Sequence, residues 1–418
     1  IKKMHSYCEQ FSPRLSTSPL LFSCRVYLEV RLKPDVRLEE AEKNRKAIFH
    51  AILSVERAQN WRSVTFTEEL KKFDDIIDDV VVGSTIDPDG SEVSLDSETL
   101  SPGHVRFYRL KGHGSESQIL EFDGDACASK AWELPCIEFD QMWENLVFDD
   151  NIKNDLLGYV TTLLRISYLK VNPSILQSNR LVLLFGPPGT GKTSLCRSLA
   201  QKLSIHLNIR YKKTVCIEIN CHSLFSKWFS ESGKLVLKMF DQIEELTEDN
   251  RAFVVVLIDE VESLSMARKG TMNRNEPVDS LRVVNALLTQ LDRVRRLPNI
   301  LILATSNLDE VLDEAFIDRA DICRWIKRPS VSAVYHILGS CIEEMLRVGI
   351  VKPADSKDPN FSFNEELLKL SRMALGLSAR VLRRIPIIAF SKTSKDCLSM
   401  KEFIELFTAL LRDGLLKR

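Results

Sequence analysis

The sequence predicts an α/β protein built on a doubly wound parallel five-stranded sheet, with a small helical domain behind it and a separate α/β domain in front. Three observations point there. Short apolar, β-rich runs recur at Leu181–Phe185, Val215–Ile219, Phe253–Ile258, Ile300–Ala304 and Ile322–Ile326, with helical periods between them. Such buried strands alternating with helices suit a parallel sheet covered on both faces. The first run leads at once into a glycine-rich loop and a helix. After Pro329 the pattern is helical only, at Ala333–Val348, Asn364–Ala374, Ser378–Ala389 and Met400–Leu411.

In chain order, residues 1–23 mix Ser, Pro and charge without periodicity and read as a flexible tail. Residues 24–122 read as a small α/β domain. Cys24, Val26, Leu28, Val30 and Leu32 alternate with Arg25, Tyr27, Glu29 and Arg31, the pattern of a half-buried strand. Leu38 to about Gln59 reads as one helix with Ala41, Ile48, Ile52 and Val55 near one face. His104–Leu110 reads as another strand. Residues 74–98 hold nine acidic side chains and no Lys or Arg. They suit a solvated loop or a strand with acidic flanks, or else a docking surface for a basic partner. Residues 123–134 read as a linker, 135–329 as the large domain and 330–418 as the small helical one.

Composition narrows the function. The 418 residues balance 57 Lys plus Arg against 58 Asp plus Glu, a formal net charge of −1. No global basic field would draw the chain onto nucleic acid or an acidic membrane. Ten cysteines show no C-x-x-C and no zinc-finger spacing. They fit buried thiols in a reducing compartment. No apolar run approaches the ~20 residues that span a bilayer, and Pro19–Phe22 is too short for a signal-peptide core. The chain opens at Ile1 rather than Met, as a fragment would.

Gly186-Pro187-Pro188-Gly189-Thr190-Gly191-Lys192-Thr193 lies between the strand Leu181–Phe185 and a helix expected over Ser194–Leu203. This is a P-loop in its strand–loop–helix setting. Its glycines let backbone N–H groups turn toward phosphates, and the helix N-terminus opening at Ser194 adds favourable partial charge. Lys192 is placed to reach the β- and γ-phosphates of ATP, and Thr193 to ligate Mg²⁺. The strand Phe253–Ile258 ends in Asp259-Glu260. Asp259 suits Mg²⁺, and Glu260 suits the general base that polarises water. An acidic pair after a strand can also be a helix-capping region. Asn307 follows the strand Ile300–Ala304, where it could orient the lytic water or simply cap a helix.

Arg319, in Phe316-Ile317-Asp318-Arg319-Ala320-Asp321, lies too far past the sheet to turn back easily to its own nucleotide. It could act in trans on a neighbour's, which implies a closed ring, or form a local Asp–Arg pair. Arg380 opens a helix of the small domain and is placed to fold over the nucleotide. Arg383 and Arg384, on the same helix, suit salt bridges or an interface. Lys227, Trp228 and Phe229 sit in a polar loop that fits no amphipathic face. In a ring this aromatic pair could grip an extended polypeptide; otherwise it is core. The loop Ala267–Pro277 could line the same channel.

From Glu138 to Arg384 the chain resembles the AAA+ ATPases, and more narrowly the pachytene checkpoint protein 2 family, also called thyroid receptor-interacting protein. The likeness rests on His222–Phe240 around SKWFSESGK, VLIDEVESL at Val256–Leu264, RVVNALLTQLD at Arg282–Asp292, Ala304–Ile322 with SNLDE and FIDRADI, and Gly376–Pro386. The resemblance implies a homo-hexameric ATPase, with ATP/ADP and Mg²⁺ as cofactors, that remodels HORMA-domain proteins of the meiotic chromosome axis and spindle checkpoint. It implies an N-terminal domain that binds client and adaptor, and placement in the nucleus and cytoplasm. Ala379 stands where the family often has Gly, and Arg319 has no second Arg close behind it, Arg324 being five residues on. Two rival readings remain. Neutral charge and the absence of a basic run disfavour a nucleic-acid motor or loader. An intact Glu260 and Asn307 disfavour a nucleotide-gated scaffold.

Overall fold

The computed structural model describes residues 26–97, 100–112, 129–169, 171–172, 175–221, 232–263, 278–307, 314–353 and 362–412. Its N-terminal part holds β1 (Val26–Leu32), β2 (Arg57–Gln59), β3 (Arg62–Ser63), β4 (Ile77–Ser84), β5 (Glu92–Ser94) and β6 (Val105–Tyr108). Four of these form a sheet in the order β3-β4-β1-β6, with β1 antiparallel to β4 and parallel to β6. The helix expected over 38–59 is broken. Leu38–Lys43 and Arg45–Leu53 are separate helices around Asn44, and the chain then turns through Glu56 at φ 60° into β2.

The large domain adds β7 (Ser129–Leu134), β8 (Leu181–Phe185), β9 (Lys213–Asn220), β10 (Ala252–Asp259), β11 (Ile300–Ser306) and β12 (Ile322–Trp325). They lie in the order β12-β8-β11-β10-β9-β7. All five expected strands are present and parallel. The sixth, β7, pairs antiparallel with β9 and lies inside the stretch expected as a linker. Trp132 and Leu134 pack on one face of the sheet and Ala131 on the other. Flanking Ser, Lys and Glu masked this short edge strand in the sequence.

Each buried strand sorts its side chains by the period of two. Val255 and Leu257 face the helices Ile152–Tyr168 and Lys192–His206, while Val254, Val256 and Ile258 face Ser232–Glu248 and Val278–Val294. The sheet therefore needs helices on both sides, and has them. The small domain packs Val331–Arg347, Phe363–Met373 and Met400–Arg412 around one core. It also contains a two-residue parallel pair, β13 (Val351–Lys352) with β14 (Leu398–Ser399), which the sequence pattern did not announce. The helix expected over 378–389 splits into Ala379–Leu382 and Ile385–Phe390, because Pro386 supplies no N–H to continue it.

β1 departs from the half-buried expectation. Tyr27 and Glu29 are buried, because the C-terminal half of helix Lys192–His206 covers their face of the strand. Tyr27 stacks on His206 at 3.7 Å. Glu29 accepts from Lys202 Nζ at 2.5 Å and lies 2.7 Å from His206 Nε2, and Lys202 also meets Glu144 at 2.6 Å. Burial alone would raise the Glu29 carboxyl, but Lys202 and His206 outweigh it and hold the group below its ordinary value. A buried charge that loses its partner is strongly destabilising. Glu29→Gln is therefore expected to cost about 2–3 kcal/mol, with Glu144 limiting the loss. Denaturant unfolding checks this; an unchanged midpoint would mean that the charges do not hold this junction.

Candidate active site

The C-terminal ends of β8, β10 and β11 lie side by side, so the sheet order brings three separate sequence motifs to one edge. Open α/β sheets bind ligands at that edge. Between β8 and its helix the loop needs left-handed backbone. Gly189 has φ 74°, and a Cβ there would stand 2.8 Å from Ser378 Oγ of the small domain. Gly186, at φ 143°, would push a Cβ to 2.3 Å from the Ile326 carbonyl oxygen. Only glycine lets β12 and the small domain close this tightly on the loop. The helix itself starts at Lys192, earlier than expected, and runs to His206.

Lys192 is buried, and its ammonium donates to the carbonyls of Gly186 and Pro187, each at 2.8 Å. Burial pulls it down to about 8, against the opposing pull of Glu262 and Asp259; Arg380 lowers it further. Thr193 Oγ1 donates to Asp259 Oδ1 at 2.9 Å, and Thr305 donates to the same oxygen. A hydroxyl and a carboxylate at contact distance form a hard-oxygen pair that suits Mg²⁺. Ser194 is half-buried in the first turn of the helix. Pro187 is half-buried, Pro188 exposed, and Thr190 buried with its hydroxyl on the Pro187 carbonyl at 3.0 Å.

Glu260 follows β10 half-buried, in the left-handed region at φ 61°. For a side-chain-bearing residue this conformation costs of order 1–3 kcal/mol, and such strain clusters at functional sites. Asn307 stands just beyond β11, and its backbone N–H donates to Glu262 Oε2 at 3.2 Å. Arg380 lies beside the P-loop, its backbone N–H donating to the Gly189 carbonyl at 3.1 Å. Arg383 donates to the Asn145 carbonyl and so ties the small domain to the segment before helix Ile152–Tyr168. Arg319 pairs with Asp292, not with its sequence neighbours Asp318 and Asp321. Lys227, Trp228 and Phe229, and the loop Ala267–Pro277, lie outside the described residues.

Next to the P-loop is a cavity of about 220 Å³ lined by Val147, Phe148, Asp149, Thr190, Trp325 and Ala379. It joins the pre-helix segment, the end of β12 and the small domain. Ser330 at the domain boundary donates its N–H to Asp149 at 2.9 Å. An apolar slot with a few polar groups, beside a phosphate loop, can take a flat base. Motif reading missed these lining residues, and also Thr305 and Glu262. Glu262 had a faint signal as a third carboxylate in Asp259-Glu260-Val261-Glu262. The acidic stretch 74–98 is partly structural: Asp89 pairs with buried Lys153 at 2.6 Å, and the Asp87 carbonyl accepts from Asn154.

A largely parallel sheet with this strand order, bringing a P-loop, an acidic strand end and a polar strand end to one sheet edge beside a small helical domain, is the architecture of an AAA ATPase. Residues 182–328 match the family described as "ATPase family associated with various cellular activities (AAA)", and residues 22–110 match the "Pch2 N-terminal domain". The "Putative pachytene checkpoint protein 2" of Caenorhabditis elegans is 45% identical over 377 residues, covering 86% of this chain and 89% of that protein. The "Structure of C. elegans PCH-2" superposes with a TM-score of 0.79 at 40% identity, covering 94% of this chain and all of that one. A chain from the "Structure of E. coli MS115-1 HORMA:CdnC:Trip13 complex" has a TM-score of 0.51 at 18% identity, covering 67% and 94%, a likeness of fold alone. The chain belongs to the pachytene checkpoint protein 2 family, and it is a nucleotide-binding ATPase.

Proposed function

We propose that the protein is an ATP-driven, homo-hexameric remodeller that opens or disassembles HORMA-domain protein complexes by drawing client chain into a central pore. The observation that carries this reading is the union in one chain of a Pch2 N-terminal domain with a complete P-loop site. The HORMA partner named for the structurally similar bacterial complex points the same way. Among the described residues no helix is long and apolar enough to cross a membrane.

In this reading the cavity beside Phe148 and Trp325 takes adenine. The P-loop residues 186–194 and Arg380 take the phosphates, with Lys192 on the β- and γ-oxygens. Thr193 and Asp259 hold Mg²⁺, which supplies charge neutralisation on the transferred phosphoryl group. Glu260 takes a proton from the attacking water, and Asn307 orients that water. Arg319 stabilises charge on the neighbouring subunit's nucleotide. Lys227, Trp228 and Phe229 grip the client. The N-terminal domain, 24–122, binds client and adaptor, and 330–418 is the lid. The large domain extends forward to include β7. The setting is chromosomes in the nucleus, with a cytoplasmic pool, serving meiotic and spindle checkpoints.

The pore element is tested by Trp228→Ala. Mechanical grip by an aromatic is worth nothing to bond cleavage itself, so the variant is expected to convert at least about tenfold less HORMA-domain protein per ATP hydrolysed. Conversion is read as the shift from closed to open client on ion exchange, beside phosphate release. Parental conversion per ATP would remove Trp228 from the gripping role.

A further inference from the structure

Asp292 lies near the C-terminal end of helix Val278–Val294, where the helix dipole disfavours a carboxylate. Its place is explained by what it holds. Arg319 Nε donates to Asp292 Oδ1 at 2.9 Å and Nη2 to Oδ2 at 2.8 Å, a side-on bidentate pair. The partners are 27 residues apart, so the pair bridges the end of the helix to the segment after Glu314–Ile317. Both side chains are largely shielded, at 25% and 30% exposure, unlike an ordinary solvated ion pair. A second arginine, Arg295, meets Oδ1 at 3.1 Å and donates to Asn179 Oδ1 at 2.7 Å, which fastens Asp292 to the chain just before β8. The hydrogen bonds from Arg319, with the charges of Arg295 and Arg319 helping against burial, keep the Asp292 carboxyl below its ordinary value.

A guanidinium on its own carries about 2 kcal/mol of rotamer entropy. A two-point carboxylate contact fixes both its plane and its rotamer. Catalytic groups need such support to stay in productive geometry. We propose that Asp292 is a positioning residue that sets the orientation in which Arg319 is presented to the nucleotide of the next subunit. The proposal rests on the trans reading of Arg319 given above.

The test uses the full chain and compares Asp292→Asn, Arg319→Ala and the double variant by kcat, KM for ATP and unfolding midpoint. Asp292→Asn keeps the side chain's shape but loses the paired charge. It is expected to lower kcat roughly 10–100-fold, the scale of a small misplacement of a reacting group, with KM for ATP little changed. In the Arg319→Ala background the same substitution is expected to lower kcat no further. A merely structural Asp292 would lower the unfolding midpoint and reduce kcat equally in both backgrounds, and that result overturns the proposal. So does a rise in kcat, which would mean that Asp292 parks Arg319 away from its target. If Arg319→Ala loses activity while Asp292→Asn keeps it, the positioning role alone fails. If Arg319→Ala keeps the parental kcat, the trans reading fails and takes the proposal with it.

Discussion

Glu260→Gln is expected to bind ATP as the parent does and to hydrolyse it about 10²–10⁴-fold more slowly, the range a positioned general base supplies. The amide keeps the size of the carboxyl and its hydrogen-bond acceptor, but it cannot take a proton from water. Glu260 is suited to that task by position. It leaves β10 at the sheet edge directly after Asp259, whose carboxylate is engaged by Thr193 and Thr305. The next carboxylate, Glu262, is buried and accepts from the Asn307 backbone. Of the three carboxylates here, Glu260 is the one not tied to a hydroxyl or the Asn307 backbone by these contacts. Its left-handed φ of 61° aims the side chain by a backbone conformation that a relaxed strand end would not adopt. Phosphate release measures the rate, and a fluorescent-nucleotide titration measures binding. Hydrolysis at the parental rate would remove Glu260 from the general-base role.

Lys192→Ala is expected to weaken ATP binding by about 10²–10³-fold, or roughly 3–4 kcal/mol, the scale for removing a buried, hydrogen-bonded charge from its partner. The ammonium is buried against the glycine-rich loop, on the carbonyls of Gly186 and Pro187. Its depressed value gives a second, independent reading by pH. Below about pH 8 Lys192 is already charged, so binding takes up no proton. Above it the free protein holds the neutral amine, while phosphate favours the ammonium, so ATP binding must draw a proton from solvent. Affinity is thus expected to fall as pH rises past about 8 in the parent, and to lose that slope in Lys192→Ala. Calorimetric titrations in two buffers of different ionisation enthalpy read the proton uptake directly. Equal slopes in both proteins would assign the linkage elsewhere.

The sequence located the five parallel strands because buried strands repeat apolar residues locally, and local repetition is legible. It located Asp259, Glu260 and Asn307 for a related reason: each sits at or just past the end of such a strand, while Lys192 closes the glycine-rich loop that follows one, and sheet order then gathers them. What it could not display depends on distant partners. Glu29 read as the exposed member of an alternating strand, yet Lys202, 173 residues away, neutralises it in the interior. Asp89 read as part of a solvated acidic run or docking surface, whereas buried Lys153 pairs with it internally. β7 was hidden because an edge strand with polar flanks has too few residues to show a period. Pro386 was visible, but its splitting of the lid helix was not anticipated. Asp292 and Arg319 are the sharpest case. Each was quoted within a different motif, and only the fold makes them partners.

In the proposed function, ATP binding commits this ATPase to a HORMA-domain client. The most direct measurement retains Glu260→Gln on a column, passes source extract over it with MgATP or with MgADP, and identifies the retained proteins by mass spectrometry. Enrichment of HORMA-domain proteins with MgATP and their absence with MgADP is the predicted result. Retention of nucleic-acid-bound factors instead, or the same proteins with both nucleotides, would overturn the proposed function.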